Sequence, residues 1–282
     1  MATANVGGIN IVYEIVGSSG PVMALMPGAR RGSAEMKPLA EKIAAKGFLV
    51  VLHDRRNTGG SDMLLDSSDT EEGIWADELH GLLGQLGLLP AYISGSSSGA
   101  RTAINYALRH PDALRGLLLI RVTGGEFAAN RLPQNYYRNF IEAAESGGME
   151  AVGEIARFQE YFATNPKTRD QLMAMDPKDF IDIQSTLLDK FLAGANLPVM
   201  GFTEAQLGTI KVPTLVVPGN DNTHSSQSGR IAHDLIKGSE MHELPISDQD
   251  VDLVSWEEWN DLEPEIAETF SAFMQRHEKA GG

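Results

Sequence analysis

The pattern of apolar positions in the first part of the chain switches repeatedly between two periods. Apolar or alternating runs of about four to eight residues predict strands, whereas apolar positions three and four residues apart predict helices. The predicted strands cover residues 9–16, 22–26, 48–53, 91–94 and 114–122, and the predicted helices cover residues 33–46, 70–88 and 99–109. Because strands that alternate with helices pair through right-handed crossovers, this pattern indicates an α/β fold with a mostly parallel sheet.

The alternation stops after the fifth predicted strand. Residues 127–207 show helical periodicity and no convincing strand, with helices predicted over 134–145, 149–163, 167–174 and 178–192. The mixed pattern then resumes, with strands predicted over 214–217 and 240–245 and helices over 226–235 and 264–277. We therefore expect a core built from residues 1–126 and 208–282, interrupted by a helical cap over 127–207. Such a cap would cover the carboxyl edge of the sheet, where open α/β folds bind ligands.

The strongest local signal is the sequence Gly95-Ser96-Ser97-Ser98-Gly99, which lies between a predicted strand and a predicted helix. In a sharp strand-to-helix turn, side chains two positions either side of the central serine would collide, so both positions favour glycine. Ser97 would then direct its hydroxyl into the cleft, near the positive end of the following helix. Small residues are common in turns, but the position of this motif between strand and helix favours a nucleophile.

Together these features resemble the α/β-hydrolase superfamily over essentially the whole chain. Besides the elbow at Ser97, the resemblance is carried by Pro27-Gly28, by 54–61 (Asp-Arg-Arg-Asn-Thr-Gly-Gly-Ser), by His110-Pro111-Asp112, by Pro213-Thr214-Leu215 and by 218–221 (Pro-Gly-Asn-Asp). It implies an eight-stranded, mostly parallel sheet flanked by helices and a helical cap. The elbow and cap are similar to those of esterases and lactone hydrolases that use no cofactor. The resemblance also implies an oxyanion hole made by the backbone N–H groups of Ala29 and Ser98.

The histidine that should activate the serine is missing from its expected place. This family places the acid after the nucleophile and the histidine last, in the loop after the final strand. Here that loop, residues 244–252, contains three aspartates and no histidine. His242 falls inside the predicted strand, and His277 lies in the terminal helix.

Several residues could replace this histidine, and the sequence leaves the choice open. His224 follows the penultimate strand, close to Asp221, which is the aspartate that the family usually employs as the acid. His53 ends a strand that faces the same cleft. Asp248 or Asp250 could act directly, although a carboxylate is a weak base for a hydroxyl unless burial raises its pKa.

Charge adds a second set of candidates. The formal net charge is −15, from 38 acidic and 23 basic residues, and such a field repels nucleic acid and anionic membranes. Six arginines nevertheless occur at loops or element ends on the predicted binding edge: Arg30, Arg31, Arg55, Arg56, Arg101 and Arg121. They could hold a substrate carboxylate or phosphate by bidentate contacts, with Arg30, Arg55, Arg121 and also His53 as the candidate binding residues.

An alternative is that these arginines pair with acidic residues of the protein itself, since buried charges need partners. In this family the catalytic acid can also stand after the strand that follows the elbow helix, and Arg121 occupies that position here. An ion pair between Arg121 and the aspartates of 248–252 would then be a structural contact in place of the catalytic triad. The same aspartates lack the glycine and the closing glutamate of a calcium loop, so no metal site is predicted.

Three hypotheses about function follow. The first is a serine hydrolase that cleaves a small ester or lactone, with Ser97, His224 and Asp221 as catalytic residues. The second is a ligand-binding homologue that lost its base, and the third is a cofactor-free lyase or C–C bond hydrolase in which the arginines stabilise an enolate. We expect a small-molecule substrate and no cofactor, nucleic acid or membrane partner; a homodimer is compatible with the sequence. The absence of cysteine, of a long apolar run and of a signal-like N-terminus predicts a cytoplasmic protein.

Overall fold

An eight-stranded sheet forms the centre of the computed structural model, which describes residues 1–281. The strands are β1 (Ala2–Val6), β2 (Ile9–Val16), β3 (Val22–Met26), β4 (Leu49–His53), β5 (Ala91–Ser96), β6 (Leu114–Ile120), β7 (Thr214–Val217) and β8 (Glu240–Met241). Their spatial order is β1-β2-β4-β3-β5-β6-β7-β8, and β2 pairs antiparallel with both β1 and β4, whereas all the other pairs are parallel. The predicted α/β-hydrolase fold, with its mostly parallel sheet of eight strands, is confirmed.

Helices cover both faces of this sheet. The helices are α1 (Lys37–Ala44), α2 (Glu71–Gln85), α3 (Ser98–Arg109), α4 (Gly125–Pro133), α5 (Asn139–Gly153), α6 (Ala156–Thr164), α7 (Lys167–Met173), α8 (Pro177–Ala195), α9 (Glu204–Leu207), α10 (Ser226–Leu235) and α11 (Glu263–Gly281). On one face, Leu79 of α2 and Ile104 of α3 pack against Ile93. On the other face, Ile43 of α1 packs with Phe270 of α11. Both faces of the central strands are therefore buried, which explains why their sequences are continuous apolar runs rather than alternating ones.

The segment between β6 and β7 is built from helices α4 to α9. It has apolar clusters of its own, one around Leu132 and Phe191 and another around Phe140 and Phe180. A short π-helical turn, Gln134–Arg138, joins α4 to α5. These helices form the cap that the sequence predicts, although the exact boundaries given above, 127 and 207, stay predictions.

The structure departs from the predicted elements mainly at exposed or irregular places. The sequence analysis missed β1, a largely exposed edge strand with little apolar alternation, and α4, which begins at Gly125, a residue with a positive φ of 85°. The last strand was predicted too long, because β8 ends at Met241 and the chain then leaves the sheet. None of the helices within residues 1–281 is both long and apolar enough to span a membrane.

A buried ion pair connects the cap to the sheet domain. The guanidinium of Arg30, in the loop after β3, pairs with Glu71 at the start of α2 and donates to the carbonyl of Tyr136 at 3.0 Å. Tyr137 of the cap donates its hydroxyl to the same Glu71 carboxylate at 2.7 Å. Arg30 also lies over the rings of Tyr136, Tyr137 and Phe140. The cap therefore docks on a charged group that has partners on both sides of the interface.

We expect that Arg30→Met lowers the free energy of unfolding by about 3–5 kcal/mol, because it leaves Glu71 buried without a cation. Arg276→Met is the control, since Arg276 and its partner Glu240 are both exposed and such a surface pair contributes less than about 1 kcal/mol. Urea denaturation measures both effects. Equal losses in the two variants would contradict the proposed role of this pair.

Candidate active site

Ser97 occupies a strained turn between β5 and α3. Its φ and ψ of 57° and −114° lie outside the usual regions for a residue with a side chain, at a cost of about 1–3 kcal/mol. The surrounding structure holds it there, because its amide donates to the carbonyl of Ile120 at 3.1 Å. A Cβ atom at Gly95 would lie 2.3 Å from the backbone of Gly99, and one at Gly99 would lie 2.7 Å from the carbonyl oxygen of Pro27. The two glycines of the motif are thus required by close approach of the backbone.

The side chain of His224 reaches this serine. Its Nε2 atom lies 2.7 Å from Ser97 Oγ, and its Nδ1 atom lies 3.0 Å from Asp221 Oδ1. The same carboxylate oxygen accepts a hydrogen bond from the backbone N–H of His224 at 2.7 Å. Histidine and aspartate therefore come from a single turn between β7 and α10, separated by only three positions. The three residues that the sequence nominated as catalytic lie in one hydrogen-bonded row.

The other oxygen of Asp221 is held by two further donors. Arg121, immediately after β6, donates to Asp221 Oδ2 at 2.7 Å, and the backbone N–H of Val254 donates to it at 3.0 Å. Arg121 also donates to the carbonyl of Val254, and its guanidinium lies 5.0 Å from the centre of the Trp259 ring. The expected bridge from Arg121 to the aspartates of residues 248–252 is therefore wrong. Arg121 pairs with the aspartate that contacts His224.

These contacts shift the proton affinities within the row. Burial raises the pKa of the Asp221 carboxyl, but the hydrogen bond and charge of His224, the Val254 amide and the Arg121 charge outweigh it, so the pKa lies well below its usual range. Burial lowers the pKa of His224, and the Arg121 charge lowers it further, against the opposing effect of Asp221. Asp221 is consequently ionised and His224 neutral near pH 7, which is the protonation state that a general base requires.

Ala29 and Ser98, the two expected oxyanion donors, are joined by a buried arginine. The hydroxyl of Ser98 donates to the carbonyl of Ala29 at 2.6 Å. Arg55 donates to that carbonyl at 2.9 Å and to Ser98 Oγ at 3.1 Å, while its guanidinium stacks over Trp75. Ala29 has a positive φ of 48°, and a Cβ atom on the neighbouring Gly28 would lie 3.1 Å from Ser97 Cβ. Arg55 thus fixes the turn after β3 against the elbow.

The other candidate bases lie elsewhere. His53 is buried, neither of its ring nitrogens has a hydrogen-bond partner among the described residues, and burial together with Arg55 lowers its pKa to about 4. Asp248 accepts from Ser226 at 2.7 Å, and Asp250 accepts from Asn222 at 3.0 Å. None of the three makes a hydrogen bond to Ser97 within residues 1–281, so the structure gives them no part in activating it.

The arginines proposed for substrate binding form ion pairs or hydrogen bonds with other residues of the protein. Arg30 pairs with Glu71, Arg55 holds the turn after β3, and Arg121 pairs with Asp221. Arg56 and Arg101 likewise pair with Glu78 and Glu72. Four of these arginines are therefore paired internally, and their acidic partners are Glu71, Glu72, Glu78 and Asp221 rather than the aspartates of residues 248–252.

Ser97 and His224 open into a small cavity of about 70 Å³. Its wall comes from the turn after β3, from the elbow, from the cap and from the segment before α11, and the lining side chains include Arg31, Arg131, Leu132, Tyr136, Leu253 and Trp256. Arg30, Arg55 and His53 do not line it. Sequence analysis missed Arg131 because the helix that carries it, α4, was not predicted. Among residues 1–281 there is no group of three or more His, Asp or Glu side chains able to hold a metal ion.

The chain is similar in sequence to several curated hydrolases. The chain is 31% identical over 145 residues to the 2-(acetamidomethylene)succinate hydrolase of Mesorhizobium japonicum, covering 51% of this chain and 49% of that protein. It is 24% identical to a 2-hydroxy-6-oxononadienedioate/2-hydroxy-6-oxononatrienedioate hydrolase of Dechloromonas aromatica, over 76% of this chain and 75% of that protein. The chain spans less than half the length of the first two curated relatives that it matches, 42% and 49%.

The fold is also similar to that of solved structures. The enol-lactonase of Burkholderia xenovorans LB400 superimposes with a TM-score of 0.66 at 20% identity, covering 97% of this chain and all of that one. A family model described as the alpha/beta hydrolase fold matches residues 25–243. The chain therefore belongs to the alpha/beta hydrolase family.

Proposed function

We propose that this protein is a serine hydrolase that cleaves a small ester or lactone through an acyl-enzyme formed on Ser97. The observation that carries the proposal is the 2.7 Å contact between His224 Nε2 and Ser97 Oγ, with Asp221 hydrogen-bonded to the opposite ring nitrogen. A serine hydroxyl becomes a competent nucleophile when a neutral, oriented histidine can take its proton.

The proposed reaction uses each member of the row in turn. His224 accepts the Ser97 proton as Oγ attacks the carbonyl carbon, and Asp221 stabilises the imidazolium through Nδ1–H. The backbone N–H groups of Ala29 and Ser98 receive the developing oxyanion. When the tetrahedral intermediate collapses, His224 returns the proton to the leaving alkoxide. Water, activated by the same histidine, then attacks the acyl-enzyme and releases the acid.

The size of the cavity favours a small acyl group. The cavity next to Ser97, of about 70 Å³, is bounded by the cap residues Arg131, Leu132 and Tyr136 as well as by the sheet domain, which supports a small acyl group. The structural similarity to a protein described as an enol-lactonase agrees with an ester or lactone substrate.

The geometry of the site affects the two alternative functions differently. A ligand-binding homologue was suggested because the base seemed to be absent, and the 2.7 Å distance from His224 Nε2 to Ser97 Oγ argues against it. A lyase or C–C bond hydrolase was suggested because free arginines could stabilise an enolate. Arg30, Arg55 and Arg121 are committed to partners in the protein, whereas Arg131 of the cavity lining is only weakly paired. The sequence similarity to the 2-hydroxy-6-oxononadienedioate/2-hydroxy-6-oxononatrienedioate hydrolase of Dechloromonas aromatica keeps a C–C bond hydrolase as the second candidate. The ester or lactone hydrolase is therefore the function that we propose.

We expect Ser97→Ala and His224→Gln each to lower kcat/KM for 4-nitrophenyl acetate by at least about 10³-fold, with the double variant little worse than either single one. When residues act as one catalytic unit, substituting the first of them removes nearly all of the rate acceleration that the unit provides, so substituting a second lowers kcat/KM little further. Ser97→Ala should also abolish labelling by a fluorophosphonate probe.

His242→Gln is the matched control for the histidine, because His242 pairs with Glu265 in the last part of the chain. It should keep kcat/KM within about twofold of the wild type. Undiminished ester turnover in Ser97→Ala would refute the proposal.

The pH dependence provides an independent test. His224 must be neutral to act as the base, so activity is lost as the pH falls through its pKa. Because burial and Arg121 lower that pKa, we expect the acid limb of the kcat/KM profile to have its midpoint below 6.5, the ordinary value for histidine. Arg121→Met should move the midpoint to higher pH, since it removes a neighbouring positive charge, whereas Arg121→Lys should stay closer to the wild type. An unchanged midpoint in Arg121→Met would show that Arg121 does not act on His224.

A further inference from the structure

The charged side chains that line the active-site cavity differ in how closely they are paired with other groups of the protein. Arg121, at its inner end, is bonded to Asp221 and Val254. Arg31 is paired with Glu35 at 2.5 Å, and both residues line the cavity. Arg131 is the remaining cation of the lining, and it differs from the other two in the strength of its pairing.

Arg131 has one weak partner. Its Nε atom lies 3.9 Å from Asp252 Oδ2, at the outer limit of an ion pair, and the side chain of Asp252 is 71% exposed. The side chain of Arg131 itself is only 26% exposed. Exposed pairs of this kind contribute less than about 1 kcal/mol, so an incoming anion can replace Asp252 at little loss. Arg131 is thus a partly desolvated guanidinium whose hydrogen-bonding capacity is largely free.

Its position places that charge beside the reacting groups. Arg131 belongs to α4, at the base of the cap, and it lines the same cavity as Ser97 and His224. Its charge is close enough to contribute to the lowered pKa of His224. Arg31 is closely paired with Glu35, and Arg121 with Asp221, so Arg131 is the positive charge of the lining that is least compensated, in a protein whose net charge is −15.

We propose that Arg131 forms an anion subsite that binds a carboxylate of the substrate, so that the preferred substrates are small esters or lactones bearing a carboxylate. The inference rests on the proposed function, since it assigns the substrate class of the same site. A single planar guanidinium matches the two oxygens of a carboxylate through paired N–H donors. One positive charge also balances a monoanionic carboxylate better than a dianionic phosphate.

The test compares two esters of the same chain length, 4-nitrophenyl butyrate and the mono-4-nitrophenyl ester of succinic acid. They differ mainly in a terminal methyl or carboxylate group. We expect the wild type to have the higher kcat/KM for the succinate ester, and Arg131→Gln to lower the ratio of the two kcat/KM values at least about tenfold, mainly through KM of the anionic ester. Arg131→Lys should restore part of the ratio, because it keeps the charge but not the planar pair of donors.

Arg138→Gln is the matched control. It removes the same charge from an exposed position of the same cap segment, and no ion pair of Arg138 is present within residues 1–281. The ratio in this variant should remain that of the wild type. An equal fall in Arg138→Gln would attribute the effect to the general charge of the cap and overturn the subsite.

Inhibition by free anions identifies the chemistry of the ligand. Succinate should inhibit hydrolysis of the butyrate ester competitively in the wild type and at least about tenfold more weakly in Arg131→Gln. Equal inhibition by inorganic phosphate would overturn the preference for a carboxylate. A parallel change of both esters in Arg131→Gln would overturn the subsite while leaving the hydrolase intact, whereas butyrate turnover that persists in Ser97→Ala would instead refute the proposed function.

Discussion

The buried carboxylate of Asp221 is the group on which the arrangement of the site depends. A buried charge is stable only when donors surround it, and the donors here come from three separate parts of the chain: Arg121 after β6, His224 in the turn after β7, and the amide of Val254 before α11. Satisfying this one anion therefore brings three segments together and aims the imidazole at Ser97. The same anion keeps Nδ1 of His224 protonated, which leaves Nε2 available to the hydroxyl.

The sequence predicted most of the fold because local rules determine it. Apolar periodicity located seven of the eight strands, and steric crowding in the Gly95–Gly99 motif located the strained turn at Ser97, since both signals depend only on neighbouring residues. Where those signals are weak, as in the exposed edge strand β1 or in α4, which begins at Gly125, the prediction failed.

The roles of the charged residues could not be predicted in the same way. The arginines do gather at the expected edge of the sheet, but their partners lie far away in sequence, 41 positions for Arg30 and Glu71 and 100 positions for Arg121 and Asp221. Which of these distant residues form ion pairs is determined by tertiary packing, which the local sequence pattern does not show. The order of the family likewise pointed to the loop after β8 for the histidine, so the place of His224 beside Asp221 left several candidates open until distances were known. Arg131 was not identified from the sequence, because no local sequence pattern indicates that an arginine of the cap lies near the elbow at Ser97.

The turn that contains both Asp221 and His224 has a consequence for how the sequence of this protein can vary. Acid and base are separated by one turn of backbone, so their spacing is a local property that does not depend on how two distant loops dock. The long segment that follows β8 therefore does not need to provide the histidine that contacts Ser97. Its hydrogen bonds to Asp221 and Arg121 come from the N–H and C=O of residue 254, and almost any amino acid except proline has both groups. Substitutions in that segment can therefore reshape the entrance to the cavity while the proton-transfer geometry stays the same.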